Sequence, residues 1–120
     1  MKYIVLLYAA EGAWPPDEHR VALAESVQLC HELHARGQYC DAAPLQPPST
    51  AVRVRVRGGE RLVTDGPFAE TKEHLGGYFV IDVASREEAV AVAARIPGAR
   101  RGTAEVRPIH EWPAGSGGSS

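Results

Sequence analysis

The chain has 120 residues, which fits one domain whose core needs neither disulfides nor metal to fold. Its apolar fraction of 44% and charged fraction of 23% are those of an ordinary globular protein. A net charge of -2 argues against nucleic-acid binding through a broad basic face, and against strong attraction to anionic membranes.

The N-terminus runs directly into Tyr3-Ile4-Val5-Leu6-Leu7-Tyr8, a strand that is apolar on both faces and so expected to be covered on both. No signal peptide is read before it, and no stretch approaches the ~20 apolar residues of a membrane span. The expectation is a cytoplasmic protein with Cys30 and Cys40 as reduced thiols.

A loop through Gly12 and Pro15-Pro16 leads to a helix starting near Asp17 and ending at Gly37, a left-handed cap. Its apolar arc holds Ala22, Leu23, Val27, Leu29 and Leu33, together with Ser26, Cys30 and His34. Gln38 to Ala43 reads as a short strand, stopped by Pro44 and Pro47-Pro48. Val52, Val54 and Val56 then alternate with Arg53, Arg55 and Arg57, and Gly58-Gly59 turns the chain into Leu62-Val63. This hairpin shows its arginine row to solvent or to a partner.

After Asp65-Gly66-Pro67-Phe68 and a charged run, Gly76-Gly77 leads into the strand Tyr78 to Val83. Ser85 caps a second helix with Glu88 three residues on, and Ala89, Val92, Ala93 and Ile96 form its buried stripe. Thr103 to Ile109 is the last strand, and Ala114 to Ser120 a flexible polar tail beyond a domain spanning 1–112.

The order is the βαββαβ pattern of a ferredoxin-like α+β domain: an antiparallel sheet, two helices on one face and an extra hairpin. One sheet face stays open. A second copy of the chain, sheet against sheet, is the expected cover, which predicts a homodimer.

Candidate site residues gather near the middle of the chain. Asp65 opens a turn, and its carboxylate either bonds that turn's amides or serves as a general acid or base. Phe68, Glu70, Lys72 and Glu73 are candidate ligand contacts on the loop; Tyr78 and Arg107 are candidates on the open sheet face. Either Tyr78 or a helix histidine, His34, would assist Asp65 in catalysis. His31 and His34 beside Cys30 match no standard ligand spacing, so no metal is assigned. No phosphate-binding glycine loop is present, and no cofactor is expected.

The run DGPFAETKEHLGGYFVIDV, Asp65 to Val83, resembles the DGPF-type branch of the YCII-related family. So do MKYIVLLY at the start, LQPP at Leu45 to Pro48, the arginine-valine hairpin, AARIPGAR at Ala93 to Arg100 and AEVRPI at Ala104 to Ile109. The resemblance implies a ferredoxin-like domain paired as a dimeric α+β barrel. For the YciI branch an enzymatic role has been suggested from a His–Asp pair in a pocket. This chain departs there: the matching helix position is Glu25, with Ser26 beside it. For the DGPF branch the resemblance implies an association with extracytoplasmic-function sigma factors. Two functional expectations follow. One is a small-molecule binder with a cleft beside the DGPF loop, with acid–base catalysis left open. The other is a non-enzymatic module for an acidic partner such as such a sigma factor.

Overall fold

A computed structural model describes residues 1–68 and 71–113. The elements run β1 (Lys2–Ala9), α1 (Pro16–Ala35), β2 (Tyr39–Pro44), β3 (Val52–Arg57), β4 (Glu60–Asp65), β5 (His74–Asp82), α2 (Arg86–Arg95) and β6 (Thr103–Pro108). The four main strands form an antiparallel sheet in the order β2-β5-β1-β6, the arrangement expected of a ferredoxin-like α+β fold. The expected tail after 113 lies outside the described residues.

Alternation along the strands makes the core. Tyr3 and Val5 of β1, with Phe79 and Ile81 of β5, are buried on one face. Leu29 and Leu33 of α1, and Ala89, Val92, Ala93 and Ile96 with α2, close over them in the same cluster. The second face carries Ile4 and Leu6, opposite Val80 and Tyr78 on β5 and opposite Arg107 and Glu105 on β6. No layer among the described residues covers it, and Ile4, Leu6, Tyr78 and Val80 are only half-buried.

Local signals explain the ends of the elements. Gly37, at φ 71°, lets the chain turn out of α1 while the Gln38 amide donates to Leu33 O at 2.8 Å and the Gly37 amide to His34 O at 3.0 Å. Ser85 Oγ accepts the Glu88 amide at 3.2 Å. The Glu88 carboxylate reaches back to the Ala84 amide at 2.7 Å, one residue before the partner of a standard capping box. Strand β5 begins four residues earlier than expected, because the glycines belong to it. Leu7 pairs with Gly77 and Tyr8 with Leu75, so Gly76 bulges. A Cβ on Gly77 would stand 3.0 Å from Ala43 O, so the β2–β5 approach there suits glycine.

The hairpin forms as expected but as a sheet of its own, β3 with β4. Gly58 and Gly59, at φ 56° and 81°, make its turn. Its register puts Val52, Val54 and Val56 on one face with Val63, and Arg53, Arg55 and Arg57 on the other. Every residue of both strands is exposed except the half-buried Arg53.

Candidate functional site

A half-open hollow lies between α1 and one end of the main sheet. Its volume is about 420 Å3, within the ~300–1,000 Å3 typical of small-molecule sites. Helix α1 contributes Ala22, Leu23, Ser26 and Cys30 to one wall. The opposite wall is made by Leu7, Phe79, Ala42–Pro44 and Gly76–Gly77, where three strands begin or end. Trp14, His19 and Val27, with Tyr8, Ala9 and Gly98, complete the lining. The hollow exists because small residues stand on both walls where larger ones would fill the gap between layers. A wider, more open depression of about 580 Å3 runs outside α2 and β6 and is less suited to enclosing a ligand.

The polar groups of the half-open cavity are few. The Ser26 hydroxyl donates to Ala22 O in its own helix at 2.9 Å. Burial pushes the Cys30 thiol above its ordinary pKa, which keeps it protonated and a poor nucleophile. The Trp14 ring is stacked by Arg101, whose Cζ lies 5.0 Å from the ring centroid. Arg101 also donates to Ala13 O at 3.1 Å and pairs with Glu18 at 2.9 Å, so one side chain pins the loop that carries Trp14.

The residues singled out from the sequence lie elsewhere. Asp65 is exposed at the base of the hairpin, and no hydrogen bond to its carboxylate is found among the described residues. The turn after it is held by its backbone: the Gly66 amide, at φ 95°, donates to Ala51 O at 2.8 Å. Phe68 is 80% exposed, and its carbonyl accepts Arg53 Nη1 at 3.2 Å. Glu70 falls outside the described residues. Lys72 is exposed; Glu73 is half-buried and accepts the Thr103 hydroxyl at 2.9 Å. Tyr78 is on the open sheet face, where its hydroxyl donates to Asp41 Oδ2 at 2.7 Å. That bond, followed by desolvation, raises the Tyr78 pKa. Arg107 shares the face, in register with Ile4.

His34 requires a correction. It was expected on the apolar arc of α1, but it is exposed in the last turn, as is Val27 further up. The buried stripe is narrower than the arc: Ala22, Leu29 and Leu33, flanked by half-buried Ser26 and Cys30. His34 and Asp65 therefore line no common cavity. Glu25 also points away, paired with Arg100 at 3.0 Å, and its neighbour Ser26 faces the hollow. Trp14 and His19 were not picked out from the sequence. The available signal was a tryptophan in a short loop before an amphipathic helix.

Cys30 and Cys40 are both free. Among the described residues no group of three or more His, Cys, Asp or Glu is placed to hold a metal ion, and no helix is long and apolar enough to cross a membrane.

An uncharacterised protein of Rhizobium meliloti (strain 1021) is 37% identical over 114 residues, covering 91% of this chain and 92% of that protein. A family model of the YCII-related domain matches residues 1–113, nearly the full described length. The chain belongs to the YCII-related family.

Proposed function

We propose that this chain is a small homodimeric binding domain of the cytoplasm that holds a small molecule in the cavity between α1 and the sheet. The half-open cavity of about 420 Å3 is the observation that carries the reading. The cavity is not the cleft expected beside the DGPF loop, since neither Asp65 nor Phe68 lines it, and the link to that loop runs only along the chain. Ala42–Pro44 and Gly76–Gly77 are the points where the segment bearing Asp65 leaves the main sheet and rejoins it. The proposed activity is binding. Acid–base catalysis by Asp65 and His34 gains no support, since neither lines the cavity.

The test is ligand-induced melting shifts across a metabolite panel, run on the full chain and on Ser26→Phe. Ser26 makes no bond outside its own helix, so the new ring enters the cavity at no loss of tertiary contacts. Filling is expected to raise stability by ~0.5–2 kcal/mol and to abolish the shifts seen with the unaltered chain. A panel that shifts both proteins equally would remove the cavity from consideration.

A second reading is favoured by the hairpin. Its bare arginine and valine faces suit an interaction module for an acidic protein, such as an extracytoplasmic-function sigma factor.

A further inference from the structure

We propose that the cavity takes an uncharged, flat, apolar molecule that packs against the Trp14 indole, and that it rejects the same molecule carrying an anionic group. The inference rests on the reading of this cavity as the binding site and names the ligand's chemical class.

Among the described residues the lining contains no carboxylate, guanidinium or ammonium group. Its one titratable base, His19, is exposed. The hydroxyl of Ser26 is spent on Ala22 O, and the thiol of Cys30 stays neutral. Arg101, which stacks on Trp14, is already committed to Glu18 and to the Ala13 carbonyl. An ion entering the cavity loses its hydration and meets no uncommitted counter-charge, a large penalty. An apolar molecule meets Leu7, Leu23 and Phe79 and loses nothing.

The shape points the same way. One wall is α1, with Ala22, Leu23, Ser26, Val27 and Cys30; the other carries Leu7 and Phe79 among the alanines and glycines of β2 and β5. The alanines and glycines facing each other across the layers favour a slot-like site. Trp14 supplies an aromatic surface at the slot, against which a ring packs offset or edge-on. Glycine at 76 belongs to this design: a Cβ there would have Leu7 O at 3.8 Å as its nearest neighbour, so the space is there and the side chain is missing.

Two fluorophores with one arylamine frame separate the outcomes: N-phenyl-1-naphthylamine, which is neutral, and its 8-sulfonate. The protein is the full chain carrying Cys40→Ser, so that Cys30 in the lining is the sole thiol. Fluorescence titration gives affinity, and the rate of Cys30 alkylation by N-ethylmaleimide, read by mass spectrometry, gives location. The neutral probe is expected to bind saturably and to slow alkylation at least tenfold. The sulfonate is expected to bind at least tenfold more weakly and to leave the alkylation rate unchanged at the same concentration. Trp14→Ala, a substitution in a half-exposed loop, should weaken the neutral probe about tenfold without lowering the melting temperature of the core. Equal binding and equal protection by the sulfonate would overturn the inference about charge while leaving the cavity a binding site. Protection by neither probe would overturn the reading of the cavity itself, and the inference with it. Unchanged affinity in Trp14→Ala would overturn the stacking.

Discussion

Glu25 and Ser26 are adjacent, yet one meets solvent and the other a cavity, because a helix turns ~100° per residue. A histidine position carried over from a related branch thus lands on an ion pair, one residue away from the hollow. Charge density misled in a similar way. Asp65, Lys72 and Glu73 stand out in the sequence because they are ionisable, whereas the cavity is lined mainly by apolar and small residues, with one loop tryptophan, that carry no such signal. Tyr78, like Glu73, has a definite partner, here Asp41. Its pKa is raised in the folded state, first by that hydrogen bond and then by desolvation. A group whose folded pKa lies above its unfolded value of ~10 adds stability that is whole below pH ~10 and is lost as pH rises through the folded value. The unaltered chain should therefore be more stable than Tyr78→Phe at pH 7 and lose that margin above pH ~10. Urea midpoints of the two proteins at pH 7 and pH 11 check this. A margin that persists at the higher pH would show that the hydroxyl acts otherwise than through Asp41.

Element identity was readable wherever periodicity is strong. The six strands and two helices follow from alternation, from the 3.6-residue stripe and from caps at Gly37 and Ser85. What alternation leaves open is whether a face has something to pack against. The valine row of β3 has the pattern of a half-buried strand, yet Val54 is 59% exposed and the arginine row opposite lies mostly in water. Two-stranded hairpins are marginal alone in water, so this one contributes little to the stability of the main sheet. Excising Val52–Asp65 is geometrically mild, since the Gly66 amide already sits 2.8 Å from Ala51 O and the two ends can be joined directly. The shortened chain should unfold within ~1 kcal/mol of the full one, because it loses exposed residues and has a shorter loop to close. If the hairpin is an interaction arm, the same excision abolishes capture of an acidic partner, and so does Arg53→Glu with Arg55→Glu and Arg57→Glu. A loss of several kcal/mol on excision would instead make the hairpin part of the folding unit. Capture that survives both changes would remove the arm from the second reading.

At the scale of the molecule, the uncovered sheet face is what the proposed homodimer rests on. Across the four strands it runs Arg107, Ile4, Val80, Asp41 in one row and Glu105, Leu6, Tyr78, Ala43 in the next, with apolar residues central and charges at the edges. This is the layout of an interface core inside a polar rim. A sheet with a second apolar face needs a second layer, and the helices are already spent on the first. Pairing two such faces about a two-fold axis brings Ile4, Leu6 and Val80 against their own copies and keeps the carboxylates and guanidinium groups at the margin. The native mass should then be twice 12.9 kDa by light scattering. Leu6→Asp places a charge at the centre of the face, where loss of a central contact costs ≥2 kcal/mol, so dimer affinity should fall at least ~30-fold. The variant should still fold, because in a lone subunit that face meets water. It should also keep its ligand, because Leu6 lines no part of the cavity. A monomeric unaltered chain at micromolar concentration would rule out the dimer. A Leu6→Asp dimer of unchanged affinity would move the interface elsewhere, and the hairpin, with its uncovered valines, would be the next surface to test.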